Sequence, residues 1–144
     1  MNDLGSRDLH ERVREFIRTF GLLNQDRTPC GRPLPTSQAH SLQVLGLEGP
    51  VCQRTLAARL HLNESTVSRL AEQLVERGWA EKHVNAENRR EMLLTLTERG
   101  QAVLADVTAA SDRKFSAIWS RIPAHQQAQV LTALDTLIVA VSEH

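Results

Sequence analysis

Five polar side chains set close together, Ser65, Thr66, Ser68, Arg69 and Gln73, are of the types needed to read a nucleic-acid duplex. Small hydroxyls can approach phosphates or base edges closely, a guanidinium matches O6 and N7 of guanine, and a carboxamide matches adenine. On a helix these five lie opposite Val67, Leu70, Ala71, Leu74 and Val75, whose offsets of three, four, seven and eight predict a buried stripe. Glu72 and Glu76 would repel phosphate, which puts the reading segment in the first two turns. Arg54 stands at the start of a preceding helical run, and Arg89 and Arg90 follow at a polar tip, where cations could enter a narrow minor groove. Catalysis lacks its usual carriers. There is no Ser-His-Asp spacing of known form, no phosphate-cradling glycine loop and no paired-cysteine knuckle, and the six histidines are scattered. The expectation is a non-enzyme that uses no cofactor and no metal.

Such side chains need elements that hold them. Residues 54–60 read as one short helix, His61-Leu62-Asn63 as a tight turn, and residues 64–77 as a second helix. Asn63 can accept the orphan amide hydrogens of the second helix, and Gly78 can take the left-handed conformation that ends it. Two extended runs, 79–84 and 90–96, then flank the polar tip 85–89, which is a hairpin signal. Met92, Leu94 and Leu96 alternate towards one face, with Leu93 interrupting the pattern. Two short helices, a hairpin tipped with arginine and a return to helix predict a mainly α fold with a small antiparallel β-hairpin, the winged helix-turn-helix.

The run over residues 53–100, QRTLAARLHLNESTVSRLAEQLVERGWAEKHVNAENRREMLLTLTERG, resembles the multiple-antibiotic-resistance regulator family, usually called MarR. The resemblance rests on Leu56-Ala57, Ser65-Thr66-Val67-Ser68-Arg69-Leu70, Leu74-Val75-Glu76-Arg77-Gly78-Trp79, Arg90 and Leu96-Thr97-Glu98-Arg99-Gly100, with weaker similarity over the flanking helices. It implies a homodimeric transcription regulator that binds a pseudo-palindromic double-stranded operator and represses, until released by a small-molecule ligand or by thiol oxidation. Arg54, Ser65, Thr66, Ser68, Arg69, Gln73, Arg89 and Arg90 would then be the DNA contacts. One departure stands out: family wings carry acidic residues where this chain has Asn85 and Asn88. Asparagine cannot form a charge pair with a neighbouring arginine, which predicts a looser and more positive wing.

The 144 residues suit a small reading module with added dimerisation helices. Aromatics are only 3%, with no Tyr, which argues against single-strand or RNA binding on stacked platforms. The net charge is zero, and residues 54–90 hold seven Lys and Arg against five Glu, a balance of +2. Affinity should therefore rest on a few directed contacts and be sensitive to salt. That weak field, with Glu72 and Glu76, also keeps open a winged-helix protein-interaction module that does not bind DNA. No stretch of about twenty apolar residues occurs, and the run MNDLGSRD lacks the apolar core of a secretory signal, so a cytoplasmic protein is expected.

Outside the module, Leu9, Val13, Phe16, Ile17, Phe20 and Leu23 form a helical stripe over 8–23, and a proline-rich loop spans 24–35. Thr36 is placed to cap a helix over 37–47, and Thr97 a long helix to 121 that Pro123 ends. A last helix carries Val130, Leu131, Leu134, Leu137, Ile138 and Val141, continuous enough to be buried. The organisation is thus 1–48 as first dimerisation helix, loop and second helix, 49–100 as DNA-binding module, and 101–144 as C-terminal dimerisation helices. The resemblance implies an effector cleft, for which Phe16, Phe20, His40, Leu42, Phe115 and Trp119 are candidates, with ordinary core packing as the alternative. Some family members sense peroxide through a cysteine near the first helix. Cys30 is the redox candidate, since Arg27 and Arg32 could stabilise its thiolate. Zinc at Cys30 and His40 would need further ligands, and no His occurs in the long helix. Cys52 takes a capping position, but sulfur is a poor acceptor.

Overall fold

The computed structural model describes residues 3–142, apart from the side chain of Asp3. These residues form two compact units, divided between Ala110 and Ser111. The first contains α1 (Asp3–Phe20), α2 (Thr36–Glu48), β1 (Val51–Cys52), α3 (Gln53–Leu60), α4 (Glu64–Glu76), β2 (Ala80–Val84), β3 (Met92–Leu96) and the start of α5 (Glu98–Arg121). The second contains the rest of α5 and α6 (Ala124–Ser142).

In the first unit the apolar spacing of α4 has its expected result: Val67, Leu70, Ala71 and Leu74 are buried, while Val75, counted in the stripe by spacing, faces outward. Val67, Ala71 and Leu74 pack with Leu42 and Leu45 of α2, Leu56 and Ala57 of α3, Leu94 of β3 and Val107 of α5 in one core. Leu42, proposed for an effector cleft, is thus fully buried core. A bidentate clamp secures α3 to the end of α2, with Arg59 Nε 3.0 Å from each carboxylate oxygen of Glu48.

The ends of the elements follow from local chemistry. Asn63 Oδ1 accepts the Thr66 amide at 2.8 Å and so caps α4, while Gly78, at φ +75°, turns the chain into the sheet. The Thr97 hydroxyl caps α5 by accepting the Gly100 amide at 3.0 Å, and also donates to the Gly78 carbonyl at 2.6 Å. Helix α1 stops at Phe20 rather than Leu23, because Gly21 adopts φ +95° and its amide closes back on the Ile17 carbonyl. Thr36 does not cap α2. Pro35 occupies that position, and the Thr36 hydroxyl is buried without a partner.

The sheet has three strands in the order β1-β3-β2, all antiparallel, with Ala80 opposite Leu96 and Val84 opposite Met92. Spacing predicted β2 and β3 but not β1, whose two residues pair with Leu94 and Leu93. Leu94 is the buried residue of β3 and Leu96 packs against the core, whereas Met92, nearest the tip, is exposed.

The second unit differs. Within the single chain no residue of α6 is buried: Leu131, Leu134, Ile138 and Val141 are 52%, 48%, 64% and 66% exposed, so the burial their spacing calls for does not come from this chain. Gln127 closes the α5–α6 corner by donating to the Trp119 carbonyl at 3.2 Å.

Candidate nucleic-acid interface

The outward side of α4 carries Thr66, Ser68, Arg69 and Gln73, and Ser37 from the first turn of α2 joins Thr66, Arg69, Leu70 and Gln73 around a cleft of about 210 Å³. Their local states differ. Ser65 donates its hydroxyl proton to Asn63 Oδ1 at 2.8 Å, so it must leave the cap before it can donate to a phosphate. Thr66 and Ser68 are half-buried, and Arg69 is exposed. Gln73 is not a free carboxamide, because its Oε1 accepts from Gln38 Nε2 of α2 at 3.2 Å. Glu72 and Glu76 are exposed in the last turns, away from the capped end.

The wing is tied by bonds that residue types alone did not predict. Asn85 Oδ1 accepts the Glu87 amide at 3.0 Å and Asn88 Oδ1 accepts the Arg90 amide at 3.2 Å, two local turns that asparagine makes as well as aspartate. Asn85 Nδ2 also donates to Glu91 Oε2 at 3.2 Å, a bond no aspartate could make. The expected looseness of the tip is thus not what its hydrogen bonding produces. Among the described residues Arg69, Arg89 and Arg90 form no ion pair, so their charge is available to a phosphate. Arg54 is different: its guanidinium lies 3.4 Å from Glu91 Oε1, so Glu91 links α3 to the wing. Cys52, Gln53, Arg54, Glu64, Arg90, Glu91 and Met92 line a cleft of about 340 Å³ there.

Cys52 is the residue that composition undervalued. At the start of α3 its sulfur lies 3.3 Å from the Thr55 hydroxyl, and this bond, with the Thr55 amide, holds the thiol below its ordinary value, against burial and the nearby Glu91 carboxylate. A cysteine three residues before a threonine at a helix start is the signal that could have found it. Cys30 fares worse, for the arginines meant to support it are engaged elsewhere: Arg27 donates to the Gly31 carbonyl and Arg32 lies 2.7 Å from Asp106. Among the described residues no cluster of three or more His, Cys, Asp and Glu could hold a metal ion.

Of the effector candidates in the first unit, Phe16 and Phe20 stack on α1 with centroids 5.3 Å apart, and His40 is an exposed residue of α2. An apolar cavity of about 440 Å³ in that unit is lined instead by other residues, Leu45, Pro50, Leu96 and Leu104 among them. In the second unit Phe115 and Trp119, one turn apart on α5, are both exposed and share an open face with Asp112 and Ser116.

A family model described as the MarR family matches residues 33–91, which run from the loop before α2 to the base of the wing. Over those residues the chain is similar to the MarR family. The solved structures agree on its fold. The PcaV transcriptional regulator from Streptomyces coelicolor, in complex with its natural ligand, is 24% identical, with TM-score 0.76 over 96% of each chain. A MarR family protein from Bacillus stearothermophilus is 17% identical, with TM-score 0.75 over 99% of each. BpsR from Bordetella bronchiseptica, whose DNA binding is regulated by 6-hydroxynicotinic acid, is 15% identical, with TM-score 0.72 over 95% of this chain and 94% of its own. Comparison with curated proteins yields no match. No described helix of this chain is long and apolar enough to cross a membrane.

Proposed function

We propose that this protein is a homodimeric transcription regulator of the MarR family that binds a pseudo-palindromic double-stranded operator, represses, and is released by a small-molecule ligand or by thiol oxidation. The observation that carries it is the capped start of α4, with Thr66, Ser68 and unpaired Arg69 facing outward, in the same unit as a wing bearing unpaired Arg89 and Arg90. Helix α4 would enter the major groove and the wing the adjacent minor groove. Arg54 and Ser65 would add phosphate contacts after leaving Glu91 and Asn63. The exposed apolar faces of α1 and α6 favour a dimer, since burying each Leu or Ile contributes roughly 1.5–3 kcal/mol. In the dimer 1–48 and 101–144 would supply the intersubunit helices and 49–100 the reading module, with half-sites about one helical turn apart.

Release by ligand is proposed by analogy with PcaV and BpsR, with Phe16, Phe20, His40, Phe115 and Trp119 as the residues to vary. For release by oxidation Cys52, whose thiol is lowered by its bond to Thr55, joins Cys30, whose neighbouring arginines are engaged elsewhere. Peroxide would convert the thiolate to a sulfenic acid, the second peroxide oxygen leaving as hydroxide. The alternative, a winged-helix interaction module, is favoured by the net charge of zero and by the neutralisation of Arg54. A salt titration of binding to genomic duplex fragments separates the two. Specific affinity falling steeply with salt supports the regulator, and absence of binding to any fragment at low salt refutes it.

A further inference from the structure

The contact between Gln38 and Gln73 bridges thirty-five positions of sequence and joins a buried residue of α2 to the exposed face of α4. Gln38 is only 4% exposed. Its Nε2 is spent on Gln73 Oε1, and its own Oε1 is buried with no partner. Turning both amides over would keep the bond between them but would bury an unpaired NH2 in place of an unpaired carbonyl oxygen. Orphan buried donors are rarer in proteins than under-satisfied carbonyls, so the observed sense is the cheaper one. Gln73 is thereby held with its oxygen turned towards α2 and its amide nitrogen left for the cleft it shares with Ser37, Thr66 and Arg69.

We infer that Gln38 is a positioning residue for DNA recognition, which orients Gln73 so that it offers a hydrogen-bond donor to an acceptor in the groove. A freely rotating Gln can present oxygen and nitrogen together to adenine N6 and N7. An oriented one selects an acceptor such as a purine N7, guanine O6 or thymine O4. The inference rests on the proposal that α4 enters the major groove. It also makes α2 part of the specificity machinery, although no α2 side chain need touch a base.

The test uses the full-length protein and a duplex selected by it from a randomised pool, together with every single-base variant of that duplex. Affinities are measured for wild type, Gln38→Met, Gln73→Ala and the double variant. Gln73→Ala should change preference at one base pair of each half-site by roughly three- to tenfold. Gln38→Met should disturb that same base pair and no other, and should have no further effect once Gln73 is alanine. Methionine keeps the length of the side chain and removes the unpaired oxygen, so the variant should melt no lower than wild type. If Gln38→Met weakens all duplexes equally, or adds its full effect in the Gln73→Ala background, Gln38 is only core and the inference fails. Gln73→Ala, at an exposed position, supplies a second check, because unchanged preference at every base pair also overturns the inference while wild-type binding leaves the DNA-binding reading intact. Failure of wild type to retain any duplex would instead remove that reading itself.

Discussion

Helices α4 and α6 carry apolar residues at the same helical spacing, and they meet opposite fates within one chain. In α4 the stripe is covered by α2, α3 and the sheet, and Val67 and Leu74 are wholly inaccessible. In α6 the corresponding positions are open, although the helix holds a single carboxylate, Asp135, and is too apolar to be an ordinary solvated surface. Periodicity thus specifies that a face must be covered, and is silent on whether the cover comes from the same chain. The contrast gives the two regions different tasks under the proposal: α4 is a finished surface that presents polar groups, while α6 is half of a surface that a second copy completes.

The sharpest way to break this comparison is to put a charge where α6 is open. Leu134→Glu should weaken self-association at least about a hundredfold, because facing carboxylates would be desolvated at a two-fold seam. Light scattering should then report a monomer with wild-type helix content, and operator binding should vanish with the dimer. A variant that remains dimeric would show that α6 is not the seam. Inside the reading module the matching change, Leu74→Ala, should lower stability by about 2–5 kcal/mol through a cavity. Denaturant titration would reveal that loss while the mass in solution stays that of wild type.

Arg69→Ala should cost about 1–3 kcal/mol of operator affinity and relax base preference at one position per half-site. Equal weakening on all duplexes in a competition assay would reduce Arg69 to a phosphate contact. The smallest effect belongs to Glu91→Gln, which releases Arg54 from its ion pair. Affinity should rise by up to about fivefold and the salt dependence should steepen. An unchanged salt slope would place Arg54 away from the phosphates.

Much of the reading module was legible because its determinants are local. The Asn63 cap, the Gly78 terminator, the Thr97 cap and the α4 stripe each depend on residues within two turns of one another. Local rules also misled at Thr36, where Pro35 took the capping position, and at Leu23, which lies beyond the left-handed Gly21. Strand β1 was illegible, since two residues carry no periodicity and exist as a strand only through pairing with β3. Arg54 with Glu91 and Gln38 with Gln73 were equally hidden, being separated by thirty-seven and thirty-five positions.

The amino-acid sequence by itself determined the helices, most of their caps and the hairpin, because backbone hydrogen bonding and side-chain period act over a few residues. Only the tertiary structure decided which polar groups on that framework are free. Arg69, Arg89 and Arg90 are open, whereas Arg54, Ser65 and Gln73 already have partners, and the Cys52 thiol is lowered by its bond to Thr55. The physical reason is that an ion pair or a side-chain hydrogen bond depends on separations of about three ångströms between groups the fold brings together, and no spacing along the chain encodes that distance.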